Sequence, residues 1–368
     1  MNMKKSRSRR KTIILGLVIG LLVVVVALIA LSFYGKTMMK KIPALSFAEA
    51  LDYTLKDNPE AIITVGFVKD GQASYTVYGN NSALLAPVPH TYEIGSLTKT
   101  ITSAMVAKAV QEGKVRLDDT IDAYIALPSG NTYPTIGELV THTSSYKPHY
   151  FEWPMVGNFL SRDNDFYGIT TAMLARRLSS LSVSSKRGTY EYSNFGYAVL
   201  GLVLQEIYDT EYATLVDAFV RDDLSLRHTH ISTMHGDLGN SWEWKRSDVY
   251  LSAGGLVSNI EDMLAYAQLQ LAGQGFIGTS QESLKQIDAA TQQFELLDIH
   301  PDAIAMAWMW DEQNGMFWHN GATSHYNSYL AFDPVRQMAV VILSNLSPNS
   351  RIPATVLGIK LMKELQLF

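Results

Sequence analysis

Residues 13–33 read IILGLVIGLLVVVVALIALSF, an apolar run without a single charge. At about 1.5 Å per residue such a run crosses a hydrocarbon core of about 30 Å. It also lacks the polar face that a helix at a protein surface shows. The run therefore predicts a transmembrane helix over 13–34. Beyond it the pattern becomes that of a folded body. Phe47 to Lys56 has helical spacing, and Ile62–Val68 and Ser74–Tyr78 are β-rich runs around Lys69-Asp70-Gly71, a hairpin signal. Helical patterns follow over 97–112, 195–208 and 259–272. Three strand candidates come late, at Ala303–Trp310, Tyr326–Phe332 and Met338–Leu343, and a final helix runs from about Pro353 to Leu365. Strands at the start, strands near the end and helices between predict an α+β fold. One antiparallel sheet is closed by distant segments and flanked by helices, with an all-helical insertion packed on it. With no repeat or Pro-rich linker after the anchor, residues 47–368 read as one domain, joined by a tether over 35–46.

Charge sharpens this organisation. Residues 1–41 hold nine basic residues and no acid, which leaves −14 on the remainder out of a net −5. Six of the nine precede the apolar run, so residues 1–12 are expected to be a cytoplasmic basic tail. The body is then extracytoplasmic on a single-pass cell-membrane anchor. A cleaved signal peptide is the rival, but its apolar core is usually about 7–15 residues, shorter than this one. Gly16 and Gly20 have the spacing that lets two such helices approach closely, so a homodimer through them is an expected partner. An acidic body is a poor partner for nucleic acid, whose affinity comes from phosphate neutralisation. The chain has no cysteine, which excludes disulfides, thiolate zinc sites, iron–sulfur clusters and a Cys nucleophile.

Candidate chemistry is concentrated in three places. Ser96-Leu97-Thr98-Lys99 follows Gly95 at the start of a helix, and the i, i+3 spacing puts Ser96 and Lys99 on one face. A serine hydroxyl needs a neighbouring base, and a desolvated lysine can serve as one. Tyr192-Ser193-Asn194 precedes the helix FGYAVLGLVLQEIY, with a phenol that can shuttle protons and an amide that can hold a carbonyl or an ammonium. His319-Asn320-Gly321-Ala322 stands just before the strand Tyr326–Phe332. Gly321 would let a substrate backbone approach an edge strand, and the N–H groups of Ala322 and Ser96 could form an oxyanion hole. His228, His230 and His235 lack a carboxylate at ligand spacing, and no nucleotide or metal motif is present, so no cofactor and no metal are expected.

Ser-x-x-Lys, then Tyr-x-Asn about a hundred residues on, then a basic-x-Gly triplet near the C-terminus resembles the penicillin-recognising serine hydrolases. The flanking stretches YEIGSLTKTITS, LVTHTSS, YEYSNFGYAVLGLVLQEI, SAGGLVSNIEDMLAY and HNG look like the class C β-lactamase branch, which includes D-Ala-D-Ala carboxypeptidases, D-aminopeptidases and esterases. The resemblance covers roughly 45–366. It implies Ser96 as acylated nucleophile, Lys99 as its partner, Tyr192 as general base and acid, and Asn194 in positioning substrate or Lys99. His319, Gly321 and Ala322 would border the substrate. The implied function is a membrane-anchored serine hydrolase acting on D-amino-acid-containing, cell-wall-type peptides in the manner of a D-Ala-D-Ala carboxypeptidase. The alternatives are an esterase or weak β-lactamase, or a non-catalytic penicillin-binding sensor. Several positions depart from the family pattern. His319 stands where many relatives have Lys, and as a weak cation it predicts faster turnover of carboxylate substrates as pH falls toward about 6. Ser145 replaces a usual Gly, and His325 stands where a Gly commonly precedes an aromatic. His142 is expected to satisfy backbone groups in a buried turn.

Overall fold

The computed structural model describes residues 41–161, 164–233, 236–282 and 285–367. Of the N-terminal unit that ends at Leu45, it describes one 3₁₀ turn, Ile42–Ala44. The transmembrane helix expected over 13–34, the basic tail before it and the Gly16/Gly20 contact lie outside the described residues. Among the described residues, no helix is long and apolar enough to cross a membrane. The longest, Asn194–Tyr208, has 15 residues, about 22 Å against the 30 Å needed. The fold is accordingly corrected to the α+β body alone. The single-pass topology, the membrane localisation, the membrane partner and the anchored form of the function are not carried forward.

The second unit begins at Ser46 and holds the sheet and its helices. The strands of its main sheet are β1 (Ile63–Lys69), β2 (Gln72–Tyr78), β6 (Lys285–Gln286), β7 (Ala303–Ile304), β8 (Met309–Asp311), β9 (Met316–Ala322), β10 (Asn327–Asp333) and β11 (Met338–Ser344). Their spatial order is β2-β1-β11-β10-β9-β8-β7-β6, and each described pairing is antiparallel. A smaller sheet joins β3 (Tyr92–Glu93), β5 (Leu256–Ser258) and β4 (His230–Ile231). The helices are α1 (Phe47–Leu55), α2 (Thr98–Gln111), α3 (Ile136–Val140), α4 (Pro154–Ser161), α5 (Thr171–Ser179), α6 (Asn194–Tyr208), α7 (Tyr212–Ala218), α8 (Leu251–Gly254), α9 (Ile260–Ala272), α10 (Phe276–Glu282), α11 (Gln292–Leu296) and α12 (Ala354–Gln366).

Local chemistry explains the boundaries. Ser46 and Glu49 cap α1 reciprocally, with Ser46 N–H donating to Glu49 Oε2 at 2.8 Å and Glu49 N–H to Ser46 Oγ at 3.2 Å. Asp70 and Gly71 both have positive φ, 52° and 75°, which a two-residue hairpin turn requires. The single strand expected over Ala303–Trp310 is instead two. The chain doubles back at Ala305, whose N–H donates to Trp308 O at 2.8 Å, and Ala307 turns left-handed at φ 68° to donate to Val140 O at 3.0 Å.

The sheet register places the site. Gly66 pairs with Val341, Val341 with Leu330 and Leu330 with His319, so these four side-chain positions share one face. Gly66 packs on Ile260 and Leu264, so α9 covers this face, while Tyr329, on the opposite face, meets Gly358 of α12. His319 therefore points toward the helical side. There α2 is buried on almost all sides, from Thr98 through Ala107. Its hydroxyls are satisfied, Ser103 Oγ with Tyr197 OH at 2.8 Å and Thr102 Oγ1 donating to Ser252 O at 2.8 Å.

Candidate active site

Gly95 opens a 3₁₀ turn, Gly95–Leu97, that leads into α2. Its φ of 49° suits a residue without Cβ, and a Cβ there would sit 2.6 Å from Ala322 N. Ser96 is half-buried within this turn and Lys99 lies fully buried one turn on. Lys99 Nζ donates to Ser96 Oγ at 3.0 Å and to the Ala253 carbonyl at 2.6 Å. It also lies 4.8 Å from the Tyr192 ring centroid and 5.6 Å from that of Tyr197. Burial without a carboxylate partner holds its pKa well below the ordinary lysine value.

Tyr192 lies beside the same serine, close enough for Ser96 to bear on its phenol. Burial raises its pKa, so the phenol keeps its proton. Ser193 caps α6, with Oγ accepting from Gly196 N–H at 2.9 Å and donating to Lys147 O at 2.7 Å. Asn194 is the first residue of α6 and half-buried. The hydrogen bonds of Lys99 go to Ser96 and Ala253, not to Asn194. His142 Nδ1 accepts from Ser193 N–H at 3.0 Å, the backbone-satisfying role expected of it, and its ring lies 4.5 Å from the Tyr192 ring.

The third cluster was expected just before a strand, but it forms the end of one, β9. Thr323 N–H donates to Tyr326 O at 2.9 Å, which sets the alternation along β9: the N–H groups of His319 and Gly321 face β10, and those of Asn320 and Ala322 face away. Trp318 pairs with Met309, the first residue of β8, and beyond it that side of β9 is an open edge. The Ala322 N–H is thus aimed where a carbonyl oxygen can meet it, beside Gly95 and Ser96. Gly321 is required here, since a Cβ would overlap Ile94 O and come within 2.5 Å of Ser328 Oγ.

The reading of His319 as a cation is corrected. The imidazole is 1% exposed. Burial first, then the nearby Lys99 charge, lower its pKa to about 3, so it is neutral near pH 7. Its Nδ1–H donates to Asn320 O at 2.6 Å, which leaves Nε2 as a buried lone pair without a partner among the described residues. Ser145 has φ 65°, the backbone position for which Gly is suited, and its Oγ accepts from Ser184 N–H at 2.9 Å. His325 is half-buried in the turn between β9 and β10. Of the three histidines weighed as a metal site, His235 lies outside the described residues. Among the described residues no group of three or more His, Asp or Glu is placed to hold a metal. The Ala253 carbonyl was missed in the sequence. Its only signal was the pair Gly254-Gly255, which lets this backbone pass close to Gly95.

These elements coincide with a known family. The β-lactamase family profile matches residues 62–357, and the chain belongs to that family. Protein flp of Staphylococcus aureus (strain MW2) is 22% identical over 281 residues, 70% of this chain and 53% of that protein. The chain thus spans about half the length of the curated relatives it matches first. In fold it is similar to the β-lactamase/D-alanine carboxypeptidase from Yersinia pestis (TM-score 0.66, 17% identity, covering 90% of this chain and 99% of that one). It is also similar to the class C β-lactamase from Rhodobacter sphaeroides (TM-score 0.65, 20% identity, covering 89% and 100%). The α+β body with its antiparallel sheet is therefore the fold of the β-lactamase and penicillin-binding protein superfamily.

Proposed function

We propose that the chain is a serine acyl hydrolase in which Ser96 is the nucleophile, Lys99 its proton acceptor and Tyr192 the proton donor to the leaving group. The observation that supports this most is the fully buried Lys99 amine, 3.0 Å from Ser96 Oγ and without a carboxylate partner. Its depressed pKa favours a free lone pair near neutral pH, whereas the raised Tyr192 pKa favours a phenol that still holds its proton. The base is accordingly Lys99 rather than Tyr192.

In this reading Ser96 Oγ bonds to the carbonyl carbon as its proton passes to Lys99 Nζ. The oxyanion is met by the N–H groups of Ser96 and Ala322. Collapse breaks the bond to the leaving group, which takes the Tyr192 proton, and Lys99 returns its own to the phenolate. Water then attacks the ester on Ser96 by the same route. Asn194, half-buried beside Tyr192, would hold the acyl side of the substrate. His319 offers a lone pair rather than a charge, so a carboxylate gains no charge-assisted bond from it. The favoured substrates are therefore neutral at that position, as in simple esters or amides. A second reading, a D-Ala-D-Ala carboxypeptidase, draws support from the likeness to the Yersinia pestis protein.

The test is fluorophosphonate labelling together with turnover of p-nitrophenyl acetate and a D-Ala-D-Ala peptide by the full chain. Labelling is expected in wild type and absent in Ser96→Ala, with kcat/KM higher for the ester. The reverse ranking would select the carboxypeptidase. Absence of both labelling and turnover would overturn both readings.

A further inference from the structure

We infer that His142 is a positioning residue for Tyr192, acting through the Ser193 N–H; this rests on the proposed role of Tyr192. The chain from Tyr190 to Ser193 runs alongside His142 and is held to it on both sides of Tyr192. Glu191 N–H donates to the His142 carbonyl at 2.8 Å, and Ser193 N–H donates to His142 Nδ1 at 3.0 Å. The imidazole thus takes the place that the next backbone carbonyl would occupy in a strand pair. His142 can present its ring there because its backbone turns left-handed, at φ 54°.

The contact is aimed at Tyr192. The His142 ring lies 4.5 Å from the Tyr192 ring, tilted by 32°, and 6.0 Å from that of Tyr190 at 86°. The His319 ring also stands near Tyr192, at 6.4 Å. Ser193 is pinned at its N–H by His142 and at its Oγ by Lys147 and Gly196. Three fixed bonds at one residue hold the backbone directly after Tyr192, and with it the reach of the phenol to Ser96. Because Nδ1 accepts, the neutral ring carries its proton on Nε2, which is buried without a partner among the described residues. Burial, with the Lys99 charge nearby, keeps the ring in that neutral form.

Two substitutions separate the two contacts. His142→Asn places an amide oxygen near the Nδ1 position and keeps the acceptor, and it tolerates the left-handed backbone. His142→Phe keeps a ring against Tyr192 but leaves the Ser193 N–H unpaired. Each is measured for ester hydrolysis, alone and with Tyr192→Phe, after thermal melting has shown that the variant folds. His142→Phe is expected to lower kcat by about a hundredfold with KM within about threefold, the scale of a small misplacement of a reacting group. His142→Asn should recover all but about tenfold. In the Tyr192→Phe background His142→Phe should cost less than about threefold, because the group it positions is gone. Equal losses in both backgrounds, or Asn falling as far as Phe, would overturn the inference while leaving the proposed mechanism intact. Full activity of Tyr192→Phe would overturn the mechanism first, and this inference with it.

Discussion

The α2–α6 wall of the cleft works through buried and half-buried side chains, whereas the β9 wall works through backbone at an open strand edge. On the first wall Lys99 and Tyr192 stand beside Ser96 with the His142 ring against Tyr192, and burial shifts the pKa of each toward its uncharged form. On the second, the Asn320 and Ala322 N–H groups face the open side, and the one titratable residue, His319, turns its Nδ1–H back onto its own strand. The difference teaches where charge can arise. A proton moved on the first wall passes among Ser96, Lys99 and Tyr192, and Lys99 has no carboxylate partner among the described residues. The second wall can answer an oxyanion without itself titrating.

The comparison is broken most directly at the nucleophile. Ser96→Ala should lower ester turnover by at least about 10⁴-fold, with the fold unchanged by circular dichroism. Lys99→Arg comes next, with an expected loss of about 10²–10⁴-fold, because a guanidinium cannot accept the Ser96 proton near neutral pH. Retention of more than about a tenth of the activity would show that the side-chain wall does not carry the proton. On the other wall, Gly321→Ala forces a Cβ onto Ile94 O and should cost about 1–3 kcal/mol of stability, read by urea denaturation, together with most of the activity. Asn320→Ala, exposed on the same strand, should stay within about threefold.

The smallest effects lie in pH. With a pKa of about 3, His319 does not titrate between about pH 5.5 and 8, so matched acid and ester substrates should give parallel profiles there. The rise expected for a cationic His319 should be absent. The same shift affects stability. Below the ordinary imidazole value the unfolded chain binds a proton that the folded site refuses, so stability falls as pH drops from about 6.5 toward 3. His319→Gln should flatten that fall by up to about 1.4 kcal/mol per pH unit in thermal or urea titrations. An unchanged slope would mean that the imidazole is protonated in the folded protein.

Legibility followed the same division. Ser96, Lys99, Tyr192 and Asn194 stood out in the sequence as a set through the resemblance of their motifs to a known family, and the i, i+3 spacing placed Ser96 and Lys99 on one face. The Asp70-Gly71 turn and the closing of the sheet by β1 and β11 were also visible in alternation and turn chemistry. The strand β9 was not, since His319-Asn320-Gly321-Ala322 was placed just before a strand rather than at the end of one, and its role lies in N–H groups common to every residue. The break at Ala305–Trp308 depends on a hydrogen bond to Val140 from a distant helix. The charge of His319 depends on what buries it, and its own sequence neighbourhood carries no sign of that. The anchor read at 13–34 is the expectation that was overturned: among the described residues no helix is long and apolar enough to cross a membrane.

The position of β1 in the sheet has a consequence for how the molecule is made. The strand lies between β2, its immediate successor, and β11, and at its start Ile62 N–H is held by Asn345 Oδ1, 283 positions later. During synthesis the β1–β2 hairpin therefore emerges with one long apolar edge unpaired until β11 leaves the ribosome. Contacts of such sequence separation slow folding and lengthen the exposure of that edge. At the other end of the same unit, Phe47 N–H meets Glu364 Oε1 at 2.7 Å. A ribosome stalled before residue 338 would release a chain with a nucleophile and its lysine already in sequence, but with a gap between β1 and β10 in the sheet. Such fragments should be targets for chaperones and proteases rather than weakly active enzymes.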